Sequence, residues 1–253
     1  MKNKSAEPRR QAGAFTLIEL LVVISIIGTL AALLLPAIAK AKVAAKEKMA
    51  QTTMANLNAA ISQFQTEYSG VQPASTNASA AAGATGGDFT FGTLVHGAPG
   101  SPLNGQQIVS SSVISQPVTT PGSQYQNVNS EVIAILTDAA YYPENSSTRH
   151  TYNSRSLPLF TANPAIDMNS PGIDTNNILR DPWGLPYIIT LDMNGDNKCV
   201  DPIWSGTLYN NAGNPNFFVP GSSMIWSFGQ LKAIDLKGLP TSPINKHLLT
   251  SWK

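Results

Sequence analysis

The sequence predicts an α+β fold: one long amino-terminal helix packed by its upper half on a small carboxy-terminal antiparallel sheet with long loops. Two stretches carry this reading. From Phe15 to Ala39 the chain is apolar except for one charge, Glu19, and helix formers continue to Ser69 with Pro36 as the only strong breaker. Far downstream, Tyr187 to Leu191 and Ser223 to Gly229 have the apolar and β-branched character of strands.

The lower half of the helix, residues 15–39, is long enough to cross a hydrocarbon core, which needs about 20 apolar residues. It is longer than the apolar core of a signal peptide, and no A-x-A-like site follows it. Lys2, Lys4, Arg9 and Arg10 precede it; Lys40, Lys42, Lys46 and Lys48 follow it, so basic residues alone do not orient the span. In the upper half, residues 40–69, Leu57, Ile61, Phe64 and Tyr68 recur on one helical face, and Gly70 and Pro73 mark a stop. The whole helix would cover about 80 Å. Pro36 removes a backbone hydrogen bond and should kink or locally melt it.

Residues 70–129 are rich in Ala, Ser, Thr, Gly, Gln, Asn and Pro and read as a low-complexity insertion, with short strands expected at Phe89 to Val95 and Ile108 to Ile114. Residues 130–253 form the head. A short helix is expected from Ser130, taken as its N-cap, to a stop before Pro143, with Val132, Ile135 and Leu136 on its apolar face. Asp181-Pro182-Trp183-Gly184 reads as a turn into the first head strand, and Leu231 to Leu236 as a partner for the second.

Net charge is +1, and no basic patch follows Lys48, so no nucleic-acid surface is indicated. The single cysteine, Cys199, excludes an internal disulfide and reads as buried or idle. His96, His150 and His247 are scattered, and neither a nucleophile elbow, a phosphate-binding glycine loop nor a His-Glu-x-x-His helix is present, so nothing argues for an enzyme. Asp192, Asn194 and Asp196, with Asp201, place hard oxygens at close spacing and suggest calcium. The match to an EF-hand loop is partial, and an Asn-Gly turn with solvated carboxylates is the competing reading.

Gly13-Ala14-Phe15-Thr16-Leu17-Ile18-Glu19, between a basic leader and a long apolar run, resembles the processing site of type IV pilins and type II secretion pseudopilins. The resemblance implies the pilin fold. It also implies removal of residues 1–14 by a membrane-embedded prepilin peptidase, with methylation of the new amino terminus at Phe15. Glu19 falls on the family's glutamate and Pro36 on its frequent helix kink. One departure is Ala14, where the family usually has Gly. The resemblance further implies an inner-membrane subunit, leader cytoplasmic and head outside. Its partners would be further copies in a filament, minor pseudopilins, the peptidase-methylase, an assembly platform and, before assembly, lipid. Asp181-Pro182-Trp183-Gly184-x-Pro186-Tyr187 resembles the start of the head sheet in major pseudopilins, some of which bind calcium in this region. An adhesive or DNA-uptake pilin, and a tethered binding protein that keeps its leader, are the alternatives.

Overall fold

The computed structural model describes residues 16–76, 78–79, 82, 87–92, 94–95, 106–107, 128–139, 151–214 and 216–252. Helix α1, Leu17–Glu67, runs for 51 residues, about 77 Å at the α-helical rise. It is continuous through Pro36, so the proline does not break it. The chain divides into two compact units, the first ending at Ala45 and the second beginning at Lys46.

In the first unit every large apolar side chain from Leu17 to Ile38 is exposed, by 41% to 81%. The hydroxyls of Ser25 and Thr29 donate to the carbonyls of Val22 and Ile26, at 2.8 and 2.9 Å, so these polar groups are satisfied within their own helix. No other helix among the described residues is long and apolar enough to cross a membrane.

In the second unit α1 becomes one-sided. Leu57, Ile61 and Phe64 are fully buried, as their spacing predicts, and Ala50, Met54 and Ala60 extend the stripe. Tyr68 stacks on Phe64 at 4.3 Å between ring centres. The helix stops where Ser69 and Gly70 both take left-handed backbone, and the Gly70 amide donates to the carbonyl of Gln65.

The buried stripe lies on a four-stranded antiparallel sheet: β1 (Phe89–Phe91), β2 (Ile188–Leu191), β3 (Ser223–Ser227) and β4 (Leu249–Thr250), in that spatial order. Alternation along the strands sends Ile189, Leu191 and Ile225 to the helix side, and Ile188, Met224 and Trp226 to the other. The far side is also a core, closed by Trp204, Leu208, Cys199, Val219 and Phe228. The sheet is therefore covered on both faces, which explains why its strands read as nearly continuous apolar runs.

Helix α2, Ser130–Thr137, completes the helix-side core with Val132, Ile133, Ile135 and Leu136. It ends before Pro143, as expected. Its start differs from expectation: Asn129 occupies the cap position and Ser130 is already helical. The Asn129 side chain instead bonds the backbone of Leu179 and Tyr187, tying α2 to the chain entering β2. Nor is α2 one-faced, since every residue from Ser130 to Leu136 is buried.

The expected strand from Phe89 to Val95 is split at Gly92, where a Cβ would meet the Tyr187 carbonyl and φ is +91°. β1 precedes the split; Leu94–Val95 forms a small ribbon with Gln106–Gln107. Ile108 to Ile114 lies outside the described residues. The expectation that Leu231 to Leu236 pairs with the second head strand is overturned. Gly229 has φ +66° and begins a tight turn, Gly229–Leu231, that leads the chain off the sheet. The His247 carbonyl fills the space where a Cβ of residue 229 would stand, and β4 takes the place beside β3.

Candidate functional site at the amino-terminal segment

Gly13, Ala14 and Phe15 lie outside the described residues, which begin at Thr16. What the structure adds is the state of Glu19. Its Oε2 accepts the Thr16 backbone N–H at 2.8 Å and the Thr16 hydroxyl at 2.7 Å. The Thr16 Oγ1 in turn accepts the Glu19 N–H at 3.3 Å. This is a reciprocal capping box, Thr-x-x-Glu, at the start of α1. Reading Glu19 as a lone charge within an apolar span misses this role, although Thr16-Leu17-Ile18-Glu19 spells the signature. The carboxylate also lies in the first turn, where the helix dipole favours a negative charge.

The capping box leaves Glu19 exposed to an incoming group while sparing it the cost of an unsatisfied charge. Around it Leu17, Ile18, Leu20 and Leu21 are at least half exposed. The segment is an apolar rod with one organised polar end.

In the head, the Asp181 turn forms as expected. Its Oδ1 accepts the amides of Trp183 and Leu185, both at 2.9 Å, and its Oδ2 accepts the Ser227 hydroxyl at 2.6 Å. Lys46 reaches this turn from α1, its Nζ 2.9 Å from the Pro182 carbonyl and 6.0 Å from the centre of the Trp183 ring. The turn therefore anchors the helix as well as opening β2.

The four expected calcium ligands do not converge. Asp201 is fully buried: its carboxylate takes the amides of Ile203 and Trp204 together with Trp226 Nε1 and Thr190 Oγ1. It pins the π-helical turn Trp204–Leu208 against the sheet, and burial pushes its pKa up. Asp192, Asn194 and Asp196 share one loop, each accepting backbone amides of that loop. Asp88, not foreseen from sequence, joins them and bonds the Met193 and Val200 amides at 3.3 and 2.6 Å. Burial above all, with the charge of Asp192 adding to it, raises the Asp88 carboxyl to about 6. Among the described residues no group of three or more His, Cys, Asp and Glu is arranged to hold a metal ion. Cys199 is buried, and burial raises its thiol pKa well above the usual thiol range.

Residues 9–35 match the family model described as the prokaryotic N-terminal methylation motif. The match takes in Arg9, Arg10, the expected cut, Glu19 and the apolar run as far as Leu35. It supports a type IV pilin-like chain, and the fold is consistent with that reading: a long apolar amino-terminal helix with a small antiparallel sheet in the carboxy-terminal region. No curated protein and no solved structure matches the chain.

Proposed function

We propose that this chain is a structural subunit of a pilus-like filament, specifically a pseudopilin of a type II secretion pseudopilus. It is made as a membrane precursor, cut between Ala14 and Phe15 by prepilin peptidase and methylated on Phe15. The observation that carries the reading is the exposed apolar surface from Leu17 to Ile38, directly after the capping box of Thr16 and Glu19 and within the methylation-motif match. So large an apolar surface is disfavoured in water and calls for lipid or like surfaces. Lipid serves the precursor, held in the inner membrane with its head outside; neighbouring copies serve the filament. No catalytic role is assigned.

In the filament, Glu19 neutralises the new α-amino group of Phe15 on an adjacent copy. An unpaired charge is costly in a low-dielectric core, so only one axial stagger satisfies both groups. Glu19→Ala is therefore expected to leave processing intact and to abolish most filament yield, read by intact mass and by sheared-fibre recovery. Normal fibre yield from that variant refutes the register role. A mature protein that retains residues 1–14 points instead to a tethered binding protein. The Asp181-Pro182-Trp183-Gly184 turn favours secretion over an adhesive or uptake pilus, because its spelling resembles the major pseudopilins; export of a substrate lost on deletion and restored on complementation is the discriminating assay.

Calcium at the acidic loop is a separate proposition. It requires Asp192, Asn194 and Asp196 to turn from the loop amides they accept towards a shared ion, and it fails if head melting is the same in calcium and in chelator.

A further inference from the structure

A cavity of about 390 Å³, within the usual size range of ligand pockets, opens in the second unit between α1 and the segment 160–163. Its wall is fixed by the backbone. The Leu136 carbonyl takes the Leu159 and Phe160 amides, and the Asn163 carbonyl takes the Ile173 amide at 3.0 Å. Gly172 has φ +118°, and a Cβ there would meet that same Asn163 carbonyl, so the two passes of chain can close only on glycine. Met49, Phe160, Leu179 and Pro182 give the cavity its apolar lining.

Arg180 is the only charged side chain lining it among the described residues, and its charge is already neutralised. Its Nε and Nη2 meet Asp174 Oδ2 at 2.9 and 2.8 Å, and its Nη1 donates to the Gly184 carbonyl at 3.1 Å. An ionic occupant finds no counter-charge here and would be buried unpaired. Hydrogen-bonding capacity remains at the rim. Asn56, from α1, and Asn163, from the facing segment, are exposed, and their side-chain amides have no partner among the described residues. Each amide offers both donors and an acceptor, the set that complements one main-chain peptide unit. A sugar ring would instead ask for an open aromatic face, and Phe160 and Tyr187, the aromatic residues of the lining, are only 4% and 1% exposed.

We propose that this cavity is a docking site for an extended, uncharged peptide segment of a partner protein. The segment inserts one large apolar side chain against Met49, Phe160, Leu179 and Pro182, while Asn56 and Asn163 hydrogen-bond its main chain on either side. The site uses none of the residues assigned to processing or to filament register, so it stands whether or not the chain polymerises.

The test uses end-blocked pentapeptides, acetyl-Gly-Ser-X-Ser-Gly-amide with X as Leu, Phe, Ala or Glu. They are titrated against the full chain held in lipid nanodiscs, with binding read by ligand-detected NMR. The Leu or Phe peptide is expected to bind saturably, the Ala peptide on the order of tenfold more weakly, and the Glu peptide more weakly still. Asn56→Ala and Asn163→Ala should each weaken the Leu peptide by roughly threefold to tenfold. Met49→Trp, made at an exposed position of the lining, should block the cavity and abolish binding. The proposal is overturned if neither the Leu nor the Phe peptide saturates, or if the Ala or Glu peptide binds as well as they do. Undiminished binding in the Asn56→Ala, Asn163→Ala double variant or in Met49→Trp overturns it too, and so does displacement of the Leu peptide by maltose, which would hand the cavity to sugars.

Discussion

Thr16 and Glu19 show how much chemistry one turn of helix can carry. The apolar run makes Glu19 stand out in the sequence as the one charge between Phe15 and Ala39. In the structure the same carboxylate already accepts two hydrogen bonds from Thr16, and in the filament proposed above these would give way to an ion pair. Thr16→Val removes the hydroxyl, keeps the Thr16 amide as a donor to Glu19 and cuts the reciprocal bond to the Glu19 amide. Losing an N-cap of this kind costs about 1 kcal/mol of helix stability. Faster amide exchange at residues 17–20 is expected in the detergent-held precursor, with no change in the exchange of residues 54–64. Unchanged exchange over the first turn would mean that the box contributes nothing to holding the helix start.

At the scale of elements, legibility follows how local the cause is. The upper half of α1 is readable because its stripe is spaced by helical geometry and its stop lies at Gly70. Strands β2 and β3 are readable because β-branched and aromatic side chains are concentrated there. The edge strand is not. Two residues, Leu249 and Thr250, have no pattern to recognise, and their place beside β3 depends on Gly229 turning the chain away well before it returns. The acidic stretch is half legible. Spacing places Asp192, Asn194 and Asp196 in one loop, but it does not reveal that Asp201 faces inward, because its partners Thr190 and Trp226 lie on two other strands. Asp201→Ala strands buried donors on three elements, each costing about 1–3 kcal/mol, so a loss of roughly 3 kcal/mol or more is expected by denaturant unfolding. The loss should be the same with calcium as with chelator; a loss that disappears in chelator would make Asp201 a metal ligand after all.

For the molecule as a whole, the head carries several carboxylates under cover, and they fix the sign of its response to pH. Burial raises Asp88 from 3.8 to about 6, and burial pushes Asp181 and Asp201 in the same direction. Each holds a proton more tightly folded than unfolded, so its stabilising contribution is complete below the ordinary carboxylate range and is lost as pH rises through the folded value. Exposed Asp167 acts with the opposite sign, since the Ser170 hydroxyl and the Asn169 amide lower its pKa, and its contribution is lost as pH falls. Among the described residues of the head, these three raised carboxyls against the one lowered carboxyl predict a melting temperature that declines between about pH 4 and pH 6. Asp88→Asn should flatten that decline, whatever it does to the absolute melting temperature, because position 88 no longer exchanges a proton. The comparison to make is therefore of slopes across a pH series, wild type against variant. A wild-type melting temperature that climbs over this interval, or a slope identical in Asp88→Asn, would show that the desolvated carboxylate beside Asp192 does not govern the head's response to acid.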